Sequence, residues 1–340
     1  MTRFPVHSAR QILVYLFLHS LLSSGCQGIE AGRGDATIVA GGSDSLFTVV
    51  LLDSAEYDLR MMNLANGDST GKWPVKGPYP LPGAILPFKR IVAYYGNLYS
   101  KQMGSLGAHP EAEMFKRLQK EVEEWEKADS ATPVQPALHY IAVTAQREGE
   151  FKRLRMPGHQ IDKVLNMANN INAIVFLDIQ PGWSSLQDEI PKLEKYLKMP
   201  QVHLGLDPEF AMPGQHIPGD RIGTLDAKDI NYASDYLAKL VRKHQLPPKI
   251  LVIHRFTRDM VTNSSKIRLT PEVQIVMHMD GFGDKILKKS SYDRYIYPFP
   301  VQFAGFKLFY KNDAKAGKEG LYTPDEALRL RPKPIYIQYH

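Results

Sequence analysis

A single cysteine, Cys26, in 340 residues excludes an internal disulfide and any cysteine-rich metal centre. The one conspicuous apolar run, Gln11–Leu22, is too short for the ~20 residues of a membrane-spanning helix. Charge of one sign is scarce: 42 Lys and Arg stand against 36 Asp and Glu, a formal +6. So thin and scattered an excess makes no nucleic-acid footprint. No glycine-rich phosphate or dinucleotide loop follows any apolar run, and no His-Glu-x-x-His stands anywhere in the chain. What is present is core material. Hydrophobic residues make up 44% of the chain and aromatics 10%, which excludes a mainly disordered, collagen-like or disulfide-stapled chain.

The first residues read as an address. Arg3 and Arg10 precede the apolar run, which ends in Ser23-Ser24-Gly25-Cys26. A basic start, a short apolar stretch and small residues before a cleavage point are the parts of a secretory signal. The ending resembles a bacterial lipobox, which makes Cys26 the lipidated first residue of the mature chain. Leu22 sits one place further back than that pattern prefers, and a plain secretory signal with an incidental cysteine is the alternative. A two- or three-chain lipid anchor would hold the protein to a membrane, where one acyl chain would not. Gln27 stands where Asp would signal inner-membrane retention, so the expected location is the bacterial cell envelope, at the outer membrane. The divisions expected are a signal peptide at 1–25, a lipid-anchor tether and irregular extension at 26–88, and one folded domain at 89–340. Phe47–Leu52 could form one strand of the extension.

From Arg90 onward a pattern repeats eight times. Apolar, β-rich runs stand at Ile91–Tyr95, Ala137–Val143, Ala173–Asp178, Val202–Asp207, Ile250–His254, Val273–Met279, Phe303–Phe309 and Pro334–Tyr339. Between most of them lie helical patterns: Ala112–Lys127, Ile161–Asn170, Leu186–Leu197 and Tyr232–His244. Thr323-Pro324-Asp325-Glu326 is a capping box with proline at the first helical position. The stretch after Arg255 is only weakly helical. Apolar strands alternating with amphipathic helices predict a parallel sheet under helices. Eight strands in ~250 residues predict an α/β fold, a (β/α)8 barrel of the TIM type. Its closing helix after strand eight is missing from the pattern, and the N-terminal segment could cover that gap.

Functional groups of such barrels gather at the carboxyl ends of the strands. Those ends carry Tyr94, Tyr95, His139, Asp178, Gln180, Asp207, Glu209, His254, Arg255, His278, Asp280, Lys307 and Gln338. Side chains alternate along a strand, so Asp207 and Glu209 should share a face, and so should His278 and Asp280. Acids crowded in one mouth repel as anions, so at least one should keep its proton near neutral pH, the condition for a general acid beside an ionised partner. Catalysis is therefore assigned to Glu209, Asp207, Asp178 and Asp280. Substrate contacts are assigned to Tyr94, Tyr95, His139, Trp183, His254, Arg255, His278, Lys307 and Gln338. A strand-end Asp such as Asp178 could instead cap the next helix. The lysines between Lys285 and Lys289 read as a solvated face, and the long loop Ala211–Asp229 reads as a lid or a surface excursion.

Asp207-Pro208-Glu209 resembles the D-x-E ending of strand four in family 18 chitinases and family 25 lysozymes, and Met277-His278-Met279-Asp280 is similar to the M-x-Y-D motif of family 18. Carried over residue by residue, the resemblance makes Glu209 the acid, Asp207 the carboxylate that orients a substrate acetamido group, and Asp280 an auxiliary. The chain departs from family 18 at Met279 in place of Tyr, in lacking Ser-x-Gly-Gly on strand three and the first two Asp residues of strand four, and in having no Trp on strand eight. More widely, FLDIQPG, LGLDPEF, VIHRFT, MHMDGFG and GFKLFYKND look like an uncharacterised family of bacterial secreted lipoproteins with a glycosidase-type barrel. The resulting expectation is a cell-envelope glycoside hydrolase acting on a glycan or other envelope polymer, with no cofactor and no nucleic-acid partner. Two alternatives stay open. One is a non-catalytic carbohydrate- or envelope-binding lipoprotein. The other is a metal-dependent hydrolase, for which His139, Asp178, Asp207, Glu209, His254, His278 and Asp280 offer suitable donors.

Overall fold

The computed structural model describes residues 52–340 except 213 and 215, and ahead of them the backbone of two short strands. Those strands, Thr37–Val39 and Thr48–Val50, pair antiparallel, the second lying inside the expected run Phe47–Leu52. The signal segment 1–25 and Cys26 lie outside the described residues.

Eight parallel strands close into a barrel: β1 (Arg90–Gly96), β2 (Val134–Ala145), β3 (Ile174–Ile179), β4 (Val202–Leu206), β5 (Lys249–Arg255), β6 (Val273–Met279), β7 (Phe303–Leu308) and β8 (Tyr336–Tyr339). Each pairs with the next, and β8 returns to β1 with Tyr336 opposite Ile91. The expected α/β barrel of the TIM type is the observed fold.

The outer ring follows from the periodicity. Helix Glu111–Ala128 turns Met114, Leu118, Val122 and Trp125 inward, and Gly158–Asn170 and Ala227–His244 do the same over neighbouring strands. The expected continuous helix Leu186–Leu197 is broken into three short turns, with Pro191 at the start of the middle one. Proline lacks the N–H that an unbroken helix needs there. Among the described residues the connection from β5 to β6 holds no α-helix. Val261–Thr262 pairs instead with Leu225–Asp226, in keeping with the weak periodicity after Arg255.

Where the sequence predicts an irregular stretch up to Pro87, the structure has a twelve-residue helix, α1 (Ser54–Ala65). Asp53 caps it by accepting the amides of Ala55 and Glu56, and Asn66, left-handed at φ 54°, ends it. Its Tyr57 and Met61 share one apolar cluster with Leu86, Ile91, Ile174, Ile250 and Phe303. These are the lowest inward residues of the barrel, so α1 and the segment after it form a floor under the amino ends of the strands. Gln274 fastens that floor: its side chain accepts from the Leu86 amide at 3.1 Å and donates to the Leu86 carbonyl at 2.5 Å.

Candidate active site

The interior changes character with height. Above the floor, Ala93, Ala137, Phe176, Val252, Val276 and Tyr336 fill the barrel with apolar volume. One step higher the same alternation turns Tyr95, His139, Asp178, Gly205, His254, His278, Gly305, Lys307 and Gln338 to the inside. Two glycines create the room. A Cβ on Gly205 would lie 2.4 Å from Asp178 Oδ1, and one on Gly305 would lie 2.6 Å from His278 Nδ1. All five of His139, Asp178, His254, His278 and Gln338 are fully buried.

A cavity of about 670 Å³ opens above this layer. Tyr95, Gln180, Asp207, Asp280 and Lys307 line its polar part, and Glu209 stands on its wall. Phe210, Phe256, Phe282 and Phe309 make the rest largely aromatic. Lys307 Nζ is 2.8 Å from Asp280 Oδ1 and 3.9 Å from the centre of the Tyr95 ring. His254 Nδ1 meets Asp280 Oδ2 at 2.6 Å, while the Tyr95 hydroxyl donates to Asp178 Oδ2 at 3.2 Å. Gln180 Nε2 reaches both the Tyr95 hydroxyl and Asp207 Oδ2 at 3.3 Å.

The expected alternation of Asp207 with Glu209 does not apply, because β4 ends at Leu206. Pro208–Phe210 forms a 3-10 turn, and Asp207 caps it by accepting the Glu209 amide at 3.2 Å. Glu209 reaches the cavity from that turn. Asp178, for which helix capping was the alternative, lies within β3 and turns into the barrel.

Burial and neighbouring charge divide the four acids. Burial would raise Asp280, but the Lys307 ammonium and His254 hold it far below the ordinary carboxylate range. Asp178 is likewise kept low, since His254, His139 and Lys307 outweigh its burial. Burial pulls His254 down, yet Asp280 and Asp178 prevail and lift it above the ordinary imidazole value. Asp207 goes the other way: burial raises it, the charges of Asp178, Glu209 and Asp280 add to the rise, and His254 only partly opposes them. Burial and the charge of Asp280 push Glu209 up to about 7. Two acids therefore stay ionised beside cations, and two hold protons next to them.

The structure brings together Tyr95, His139, Asp178, Asp207, Glu209, His254, His278, Asp280, Lys307 and Gln338. Of these, Tyr95, Asp207, Glu209, Asp280 and Lys307 line the cavity, with the others one layer beneath. Three expected contacts fall elsewhere, two of them because alternation sends each strand neighbour of an inward residue outward. Tyr94 points into the outer layer, its hydroxyl 2.9 Å from that of Tyr310. Arg255 donates to the carbonyls of Thr257 and Arg258 and stacks 4.4 Å over Phe299. Trp183 lies outside the cavity and donates through its indole to the His216 carbonyl at 2.6 Å.

Among the lysines expected on a solvated face, Lys288 is instead buried at 1% exposure. It pairs with Asp313 at 2.9 Å and donates to the Lys307 carbonyl at 2.7 Å, bracing β7 behind the cavity. Of the two readings of the loop Ala211–Asp229, lid or surface excursion, the structure fits the second: none of its described residues lines the cavity. It braces Glu209 through the Gly223 amide, which donates to the Glu209 carbonyl at 2.6 Å. The sequence reading missed the aromatic wall and His340, whose ring lies 5.6 Å from Tyr95 and 4.9 Å from Phe309. A usable signal was present, for Phe210, Phe256, Phe282 and Phe309 each fall within four residues of a strand end.

No family model matches the chain, and no curated protein matches it. Among solved structures, a mutant of glycoside hydrolase 5 lichenase from Caldicellulosiruptor sp. F32, in complex with cellotetraose, is similar at 11% identity over 71% of this chain and 77% of that one, with a TM-score of 0.33. So general a likeness adds nothing to the reading of the site, which rests on the geometry of this chain.

Proposed function

We propose that this chain is a glycoside hydrolase that uses Glu209 as its general acid. The observation that carries the reading is Glu209 itself. Its carboxyl is pushed up to about 7, and it stands on the wall of a cavity beside the ionised Asp280–Lys307 pair. A carboxylic acid that keeps its proton near neutral pH can protonate a departing glycosidic oxygen. Asp207, fixed by the Glu209 amide and Gln180, is the partner carboxyl that orients the substrate. The aromatic wall offers flat faces against which sugar rings pack.

Purified protein is expected to release reducing ends from peptidoglycan fragments or chito-oligosaccharides, with a rate that falls as pH rises above about 7. Glu209→Gln should lower kcat ~10²–10⁴-fold, the usual contribution of a general acid. Glycan binding without product, or an unchanged rate in the variant, would overturn the reading. The proposed setting is the cell envelope, through a lipid on Cys26. Cys26→Ser should move the protein from the membrane fraction to the soluble fraction on cell fractionation.

A further inference from the structure

We infer that the inward layer beneath the cavity is a binding site for one divalent first-row transition ion of the zinc class, held by His139 Nε2, His254 Nε2 and an Asp178 carboxylate oxygen. The inference stands apart from the hydrolytic reading, since it concerns what the barrel interior holds and not what it turns over. These three atoms, one from each residue, lie within 4.8 Å of one another on side chains that are wholly buried. Asp178 Oδ1 is 3.3 Å from His139 Nε2 and 3.6 Å from His254 Nε2. Donors ~2.0–2.2 Å from a tetrahedral ion stand roughly 3.3–3.6 Å apart, so both edges already have the spacing such an ion imposes.

Among the described residues none of the three atoms has a well-aligned hydrogen-bond partner, the 3.3 Å approach of His139 Nε2 to Asp178 Oδ1 being one between the three themselves. A poorly paired polar atom in a protein interior is costly, and three converging on one point would be satisfied together by one shared partner. The far side of each imidazole is occupied. His254 Nδ1 faces Asp280 Oδ2 at 2.6 Å; a carboxylate can only accept there, so Nδ1 carries a proton, and an ion bound at Nε2 would take the place of the second proton that the surrounding acids favour. This carboxylate–imidazole relay is the usual support behind a metal-bound histidine. His139 Nδ1 is held by the Tyr336 hydroxyl at 2.6 Å and lies 3.2 Å from Gln338 Nε2, which fixes the ring with Nε2 toward Asp178. Tyr95 occupies the other oxygen of Asp178 at 3.2 Å. Gly205 matters for the same reason, because a side chain there would strike both Asp178 Oδ1 and His139 Nε2, at 2.4 and 2.5 Å. Two imidazoles and one carboxylate suit zinc-class ions rather than calcium or magnesium, which prefer all-oxygen shells.

The test needs no substrate. The full chain, stripped with EDTA and dialysed, is titrated with zinc chloride by calorimetry and, in parallel, by thermal unfolding. One zinc per chain should bind, raising Tm, and X-ray absorption of the loaded protein should show two imidazole nitrogens in the first shell. Asp178→Asn and His139→Ala should each abolish stoichiometric uptake, and Asp280→Asn should weaken it ~10–100-fold by releasing the His254 ring. If a variant fails to fold by circular dichroism, the wild-type titration and absorption spectrum decide alone. Absence of saturable uptake by the wild-type chain, or undiminished uptake by a folded Asp178→Asn, would overturn the inference. Zinc uptake by a chain that hydrolyses no glycan would sustain the site while the hydrolytic reading falls.

Discussion

Glu209 holds a proton near neutral pH because its turn leaves it half-buried and facing the charge of Asp280, with Lys307 and His254 only partly compensating. That state has a cost for folding. In the unfolded chain the same carboxyl titrates at its ordinary value of 4.5, and in the folded chain it titrates at about 7. Below pH 4.5 both states are protonated and the residue is neutral in its effect. Between those values the unfolded state gains by ionising first, and above about 7 the destabilisation is complete. Glu209→Gln removes the penalty while keeping the shape. The variant should be more stable than the wild type at pH 8 by on the order of 2–3 kcal/mol, with the gain vanishing toward pH 4.5. Urea unfolding of both proteins at the two pH values measures the difference; equal stabilities at pH 8 would contradict the raised titration point of the Glu209 carboxyl. A gain in stability at the expense of activity is the pattern expected of a functional group.

At the scale of elements, α1 shows how a helix can escape notice. Its inward residues Tyr57, Met61 and Ala65 recur every four positions among Glu56, Asp58, Arg60 and Asn63, a stripe too narrow to read as amphipathic. Tertiary contact supplies what the pattern lacks, because Met61 is 5% exposed and packs on the barrel floor. Met61→Ala should cost about 2–5 kcal/mol, the range for deleting a buried methionine side chain, and chemical denaturation would register it as a lower midpoint with an unchanged slope. A cost below ~0.5 kcal/mol would mean that α1 is not a structural floor. The outer helices were legible for the opposite reason, since their stripes are wide. The lysine-rich helix Lys285–Tyr295 was legible as charge but not as structure. Lys288 faces inward, and composition alone does not distinguish a solvated lysine from one that meets Asp313.

For the whole molecule, the floor moves the practical boundary of the fold. A chain starting at Arg90 would keep all eight strands yet expose Ile91, Ile174, Ile250 and Phe303 to water at the open end. Each buried side chain of that size is worth ~1.5–3 kcal/mol, and a domain has only about 5–15 kcal/mol to lose. Such a truncated chain should be recovered as aggregate or as a species without a cooperative thermal transition. A soluble product melting like the full chain would refute the floor's role.

Eight successive apolar runs determined the barrel from the sequence alone, because a strand buried on both faces must be apolar along most of its length, whatever its neighbours. The polar residues at their ends could likewise be listed, Asp178, Asp207, Glu209, His254 and Asp280 among them. What alternation and spacing could not supply is which of them meet. Tyr94 and Arg255 sit one position away from inward residues and are lost to the outer layer, while Glu209 is carried to the cavity by a turn that follows no strand period. Protonation, too, was decided only when distant segments met. Lys307 and His254 lie 27 and 26 residues from Asp280 in the chain but 2.8 and 2.6 Å from it in space, and charge acts through distance in space, not along the sequence.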